Sequence, residues 1–168
     1  IRPYIDELLQ ANDFLGTIDF IRAKALFARD INAVKPSMVN HPHIRWHQAV
    51  HPLLYLNLRK ENRQVVPLDI TLDNDKQRIL VISGPNAGGK SVCLTTTGII
   101  QYMFQCGLLV PVRPESEMGI FRKLFINIGD DQSIENDLST YSSHLVNMKN
   151  FIKSADEQSL ILIDEFGA

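Results

Sequence analysis

One run of the chain has the residue types and spacing that bind the phosphates of a nucleotide: Gly84-Pro85-Asn86-Ala87-Gly88-Gly89-Lys90-Ser91. It fits the pattern G-x-x-x-x-G-K-[ST] at every fixed position. Glycines let the backbone curl so that several N–H groups point at a phosphate, and the positive N-terminal end of a following helix adds to them. We therefore predict that this loop and the adjoining Val92 bind ATP, with Lys90 on the β and γ phosphates and the Ser91 hydroxyl on Mg²⁺. The alternative is a glycine turn that binds nothing.

Two carboxylates, Asp164 and Glu165, directly follow the apolar segment Leu160-Ile161-Leu162-Ile163. In a nucleotide-binding sheet, the first acid at the carboxyl end of a strand holds Mg²⁺, and a second acid can polarise the attacking water. We assign Asp164 to the metal site and Glu165 to the hydrolytic base, beside Lys90 as the other catalytic residue. Acids also follow strands as solvated turn residues, so the assignment depends on the phosphate-binding loop upstream.

A polar stretch from Gly129 to Ser143 precedes a predicted amphipathic helix and contains Ser139 and Thr140. Its hydroxyl groups could simply cap the free N–H groups at the start of that helix. The same hydroxyls, N–H groups and helix dipole also form an anion site, which could face a γ phosphate supplied by a second subunit.

Hydrophobic periodicity predicts the helical elements that surround these motifs. Apolar residues recur at three- and four-residue steps from Ile5 to Ala28, which indicates one long helix or two stacked helices, ended by Lys35-Pro36. From there to His51 the periodicity disappears, and we expect a loop. A helix is predicted over residues 90–105, and another after Ser143 with an apolar face formed by Leu145, Met148, Phe151 and Ile152.

Runs of β-branched and apolar residues predict the strands, and Asn74-Asp75 predicts a hairpin turn between the first two of them. Strands that alternate with helices indicate an α/β fold. The predicted strands cover residues 65–72, 78–83, 108–112, 124–128 and 160–163.

Length and composition limit the class of protein. The chain has 168 residues, of which 45% are apolar and 21% charged, and its formal net charge is -2. These values are typical of one globular domain, with room for a piece of another, and they provide no general attraction to nucleic-acid phosphates. The apolar runs are too short to span a bilayer. Two cysteines and the lack of a secretory leader predict a cytoplasmic protein.

Three segments carry a family resemblance: GPNAGGKS, GDDQSIENDLSTYSSH and LILIDEFGA. In this order and spacing they resemble the ATPase domain of the MutS family. The form of the middle segment, and the lead-in from Leu15-Gly16-Thr17 to His51-Pro52-Leu53-Leu54, are most similar to the second bacterial type of MutS protein, which is associated with suppressing recombination and rescuing collided ribosomes. The resemblance covers roughly residues 14 to 168.

The resemblance implies a P-loop NTPase fold of the ABC type, in which two subunits sandwich two nucleotides. It implies that residues 1–35 end a helical core or lever segment and that 36–168 form the N-terminal portion of the ATPase domain, which continues in the family beyond Ala168. Ser139 and Thr140 correspond to the family's signature that acts in trans on the partner's nucleotide. Asp131 or Gln132 corresponds to its metal- and water-sensing loop, with Gln132 assigned to the metal. Val66 and Pro67 correspond to the adenine contact.

The function implied is ATP binding and hydrolysis that switches the conformation of a homodimer acting on double-stranded or branched DNA, in recombination control or DNA repair, and on stalled ribosomes. DNA is expected to contact regions outside this chain, and no membrane partner is expected. By itself, the 168-residue chain is expected to hydrolyse ATP poorly or not at all. The alternatives are a nucleotide-gated DNA-binding and dimerisation module with negligible hydrolysis, a MutS protein of mismatch repair, and a transporter's nucleotide-binding subunit.

Other residues suggest chemistry but have simpler explanations. A cluster of histidines around Trp46 could suggest zinc, but no cysteine or carboxylate lies among them, so we expect a structural loop. The basic residues of the next segment are expected to be solvated, and Cys93 is expected to pack rather than react. The histidines are His41, His43, His47 and His51, and the basic residues are Arg59, Lys60 and Arg63.

Overall fold

The computed structural model describes residues 4–85, 88–128 and 137–164, which form a mixed α/β fold. Among these residues, no helix combines the length and apolarity needed to cross a membrane. The helices are α1 (Ile5–Asp30), α2 (Pro52–Lys60), α3 (Lys90–Gln105) and α4 (Asp137–Ser154). The strands are β1 (Ser37–Val39), β2 (His43–Ala49), β3 (Leu68–Asp73), β4 (Glu117–Gly119), β5 (Lys123–Asn127) and β6 (Ser159–Ile163).

Helix α1 is one continuous helix of 26 residues, which decides between the two predicted arrangements. It runs through Gly16 without interruption. Of its described residues only Ala28 is buried, and Phe27 packs against the core. Most of the predicted apolar face is therefore exposed, and α1 is anchored through its last turn.

Four strands form a mixed sheet in the order β1-β4-β2-β3. Strands β1 and β4 are parallel, whereas β2 runs antiparallel to both β4 and β3. The register between β2 and β3 shifts between Trp46 and Ala49. At this bulge Gln48 has a φ of 48°, and its N–H donates to the Asp69 carboxylate at 2.9 Å.

The prediction of a loop between residues 36 and 51 was wrong, because this segment forms β1 and the central strand β2. Ile44 and Trp46 are fully buried, with the exposed Arg45 between them and the buried His43 before them. Only these two apolar residues alternate, and histidine, arginine and proline residues surround them in sequence. The strand is therefore stabilised by pairing with β3 and β4, which periodicity within the segment does not reveal.

Strands β5 and β6 form a second, parallel sheet, in register from Lys123 opposite Ser159 to Asn127 opposite Ile163. Both strands were predicted. Helix α4 connects them and packs on β5, with the Phe125 and Phe151 ring centroids 5.0 Å apart. This crossover is the βαβ unit expected of an α/β fold.

Two other predicted strands do not form. Residues 78–83 have no strand geometry, and the side chains of Ile79 and Val81 are 80% and 82% exposed, because no strand of the described part pairs with them. Asn74-Asp75 does form a turn, closed by mutual backbone hydrogen bonds between Asp73 and Gln77, but the hairpin extends no further. In segment 108–112, Val110 makes only an isolated bridge to Val34.

Helix α4 begins at Asp137, several residues before the predicted start. The polar residues from 137 to 143 therefore belong to the helix instead of preceding it. Its predicted apolar face is also only partly correct: Met148 and Phe151 are half-buried, whereas Leu145 and Ile152 are exposed.

Helix α3 joins the two sheets. Its Ile100 is fully buried in the core that also contains Trp46 and Leu162. Its Gln101 is buried as well, and the side-chain amide donates to the Gly119 carbonyl at 2.8 Å, at the end of β4. The position of α3 is thus fixed by contacts with both sheets.

Candidate nucleotide-binding site

The predicted phosphate-binding loop is described at Gly84, Pro85 and from Gly88 onward; Asn86 and Ala87 lie outside the described residues. The Gly88 N–H donates to the Pro85 carbonyl at 2.8 Å and so closes a tight turn. A Cβ atom at Gly88 would lie 2.9 Å from the same carbonyl oxygen, which is closer than a side chain tolerates. Gly88, one of the predicted nucleotide-binding residues, therefore has to be a glycine because of the turn itself.

Helix α3 begins directly after this turn. Its cap, Gly89, has a φ of 83°, a left-handed conformation that favours glycine. Gly89 itself has no side chain that could cap the N–H groups of the first turn of α3. Together with the helix dipole they favour an anion at this end of α3.

The Lys90 ammonium donates to the Gly84 carbonyl at 2.7 Å. Lys90 is the first residue of α3, and this contact folds its side chain back over the loop. The positive charge consequently lies beside the backbone turn, where the sequence predicts the phosphates of a nucleotide.

The Ser91 hydroxyl donates to the Asp164 carboxylate at 2.5 Å. Asp164 follows β6 directly, is 9% exposed, and its N–H donates to the Asn127 carbonyl of β5 at 2.9 Å. The parallel pairing of β5 and β6 therefore fixes the carboxylate opposite the first turn of α3. A hydroxyl and a carboxylate are hard oxygen ligands of the kind that Mg²⁺ accepts.

Gly98 lets α3 approach the second sheet closely enough for this contact. A Cβ atom at Gly98 would lie 3.2 Å from Leu162 Cδ1 and 3.3 Å from Ile126 Cδ1. Sequence reasoning did not single out Gly98, although an isolated glycine within a helical pattern often signals close packing.

The predicted site residues divide into those that the structure brings together and those that it does not. Gly84, Lys90, Ser91 and Asp164 are connected by the hydrogen bonds above. Val92 follows in the first turn of α3 and is exposed. Val66 is 88% exposed, and its neighbour Pro67 lines a surface cavity of about 460 Å³ together with Val50, Tyr55, Arg59, Asn62, Arg63, Gln64 and Val65.

Several predicted residues fall outside what the structure describes. These are Asn86, Ala87, Asp131, Gln132 and Glu165. Ser139 and Thr140 lie in the first turn of α4 by their backbone, and their side chains are outside the described part. Their assigned roles stay predictions.

Cys93, in the first turns of α3, agrees with the packing role expected for it. Burial raises the pKa of its thiol, which is the opposite of the activation that a reactive cysteine requires.

A family model, MutS domain V, matches residues 80–168, which include the loop, α3, β5 and β6. The chain belongs to the MutS family. It is 44% identical to the Endonuclease MutS2 of Lactiplantibacillus plantarum over 168 residues, 45% identical to that of Enterococcus faecalis over 166, and 45% identical to that of Geobacillus thermodenitrificans over 168. These alignments cover 99–100% of this chain and 20% of each relative, so the chain spans about a fifth of the relatives' length. The resemblance to the second bacterial type is confirmed, and this MutS-family chain is not a transporter subunit.

Proposed function

We propose that this chain binds ATP with Mg²⁺ as part of a P-loop NTPase of the ABC type, and that the intact protein hydrolyses ATP. The observation that carries the proposal is the hydrogen bond between Ser91 Oγ and Asp164 Oδ2 at 2.5 Å. It joins the residue after the motif lysine to the acid after β6, and these are the two residues that the sequence assigns to the metal.

The phosphate-binding part of the proposal rests on the backbone. The Pro85–Gly88 turn and the left-handed Gly89 lead directly into α3, and Gly89 has no side chain that could cap the N–H groups of its first turn. The Lys90 ammonium lies beside them. A polyphosphate placed there would accept hydrogen bonds from the backbone and take over the lysine from the Gly84 carbonyl.

Ser91 and Asp164 would hold Mg²⁺ through the hydroxyl oxygen and the carboxylate. The ion would neutralise charge on the β and γ phosphates and so favour transfer of the γ-phosphoryl group to water. Glu165 is the next residue after Asp164 and is proposed as the base that polarises this water. Gln132 is proposed to sense the same metal and water.

A second subunit completes the site in this proposal. Ser139 and Thr140 would contact the nucleotide of the partner from the N-terminal turn of α4, where backbone N–H groups and the helix dipole favour a γ phosphate. The helical segment 1–35 would connect the ATPase portion, 36–168, to other parts of the intact protein. The MutS family supports DNA as a partner in general. We propose recombination control or DNA repair as the process and stalled ribosomes as a further partner.

The test uses the intact protein. We expect Lys90→Ala to abolish nucleotide binding, whereas Glu165→Gln should keep binding and stop turnover. Lys149→Ala, which removes an exposed lysine from α4, is the matched control and should change neither. Unchanged turnover in Glu165→Gln would reject the assigned base.

The same assay separates hydrolysis from gating. If the wild-type protein binds ATP but shows no turnover, with or without branched DNA, the result would support a nucleotide-gated binding and dimerisation module instead of an ATPase.

A further inference from the structure

A second group of possible metal ligands lies in the four-stranded sheet and includes none of the nucleotide-site residues. His43 opens β2 and pairs across the sheet with Asp73, the last residue of β3. His41 lies two residues before β2. One ligand atom from each of these three side chains lies within 4.8 Å of the other two.

Two contacts bring these side chains together. His43 Nδ1 is 3.1 Å from Asp73 Oδ2, and the His41 and His43 ring centroids are 5.5 Å apart with an interplanar angle of 62°. Asp73 Oδ1 accepts a hydrogen bond from the Asp75 N–H at 2.8 Å. This bond holds the carboxylate so that its other oxygen faces His43.

The outer nitrogen of His43 faces a second carboxylate. Nε2 is buried and makes no hydrogen bond within the described part, and it lies 3.4 Å from Glu117 Oε2. A neutral ring that donates its Nδ1 proton to Asp73 would direct a lone pair at this carboxylate. A cation on Nδ1 instead leaves the proton on Nε2, directed at Glu117.

That second arrangement is how metal-bound histidines are usually supported, with the distal N–H donated to a carboxylate. Glu117 is itself held in place, because its Oε1 accepts from Arg45 Nη2 at 2.5 Å. His43, Glu117 and Arg45 thus form a chain that would fix both the tautomer and the ring orientation.

The backbone keeps the two histidines close to the sheet. A Cβ atom at Gly119 would clash with the His41 carbonyl oxygen and the His43 nitrogen, so this turn lies directly against β4. The histidines are therefore placed by the fold instead of extending from a mobile surface loop.

We propose that His41, His43 and Asp73 bind one divalent transition-metal ion, with zinc as the best match to two imidazoles and a carboxylate. Three protein ligands leave a position for water, and His41 is exposed, which opens the site to solvent. The histidine cluster contains no carboxylate in sequence, and the fold provides one from a strand 30 residues later.

The experiment titrates the nucleotide-free intact protein with Zn²⁺, and in parallel with Co²⁺, whose visible absorption reports a tetrahedral site. We expect the wild type to bind one metal ion more than His41→Ala and Asp73→Asn. Glu117→Gln should keep the site and weaken it by about 10–100-fold, because it removes only the outer support.

His47→Ala is the matched control. His47 lies on the same strand, 3.9 Å from Asp69 and outside the cluster, so its loss should leave the stoichiometry unchanged. Equal stoichiometry in wild type and His41→Ala, or an equal loss in His47→Ala, would overturn the proposal. His41 is exposed, and an unchanged circular dichroism spectrum of His41→Ala would separate loss of metal from loss of fold. Absence of the additional metal ion in the wild type would also overturn the proposal.

Discussion

Ser91 and Asp164 lie 73 positions apart in the chain and share a hydrogen bond of 2.5 Å. Two separate elements produce this contact. Helix α3 places Ser91 in its first turn, and the pairing of β6 with β5 places Asp164 opposite it. The site is therefore a property of the packing between α3 and the second sheet as much as of the loop.

The hydroxyl of Ser91 should be needed for metal-dependent nucleotide binding. In the intact protein, we expect Ser91→Ala to weaken ATP binding in the presence of Mg²⁺ by about tenfold, or about 1.4 kcal/mol, with little change in EDTA. Ser91→Thr keeps the hydroxyl and should bind normally. Isothermal titration with and without Mg²⁺ measures the difference, and an equal loss in EDTA would contradict a metal role.

Substitutions at two glycines should have different effects on stability. Gly16→Ala, in the exposed middle of α1 with nothing within 4 Å of a Cβ atom, should raise the free energy of unfolding by about 0.5–1 kcal/mol. Gly98→Ala should gain less, because the methyl group would lie 3.2 Å from Leu162 Cδ1. Gly98→Val should cost about 1–3 kcal/mol through overpacking. Urea denaturation measures all three, and a gain in Gly98→Val would refute the close approach.

His51 should stabilise the start of α2 in a pH-dependent way. Its Nδ1 accepts the Leu54 N–H at 3.2 Å, so His51→Ala should cost about 0.5–2 kcal/mol and His51→Asn much less. Burial lowers the pKa of His51 below 6.5, so the unfolded state binds the proton more readily. The stabilisation should be complete above pH 6.5 and lost as the pH falls through the lowered pKa. Thermal melts from pH 8 to pH 5 should show this slope in the wild type and not in His51→Ala.

The ion pair between Lys123 and Asp156 should contribute stability only when the carboxylate is charged. Hydrogen bonds from Lys123 and Ser159 and from the Gln158 N–H lower the pKa of Asp156 from 3.8 to about 2. Its contribution should therefore be present above pH 3.8 and be lost as the pH falls toward 2. The difference in melting temperature between wild type and Asp156→Asn should narrow over this range. A difference that stays constant with pH would contradict the lowered pKa.

Local sequence signals were sufficient where an element depends mainly on its own residues. Gly89 marks the start of α3, and the apolar run before Asp164 marks β6; both were predicted. Local sequence signals failed where pairing between distant strands decides whether a strand forms. Strand β2 depends on Met118 and Ile70 in neighbouring strands, whereas Ile79 has β-forming neighbours in sequence but no strand partner in the described part.

The candidate sites likewise combine residues that local sequence signals predict with residues that only long-range pairing brings together. A fixed spacing revealed Lys90 and Ser91, and a strand end revealed Asp164, because these signals are continuous in sequence. The approach of Asp73 to His43 comes from cross-strand register, and no local pattern encodes it.

Helix α1 has a mechanical consequence for the molecule. Its 26 residues, at 1.5 Å each, make a rod about 39 Å long that is anchored at one end, near Ala28 and Ile31. A rotation of about 5° at that anchor displaces the far end by about 3 Å for a rod of this length. The Val34–Val110 bridge lies at the pivot and connects it to the segment that follows α3. A sub-ångström repacking around Val110 that rotated this anchor would therefore be amplified several-fold at the far end of α1.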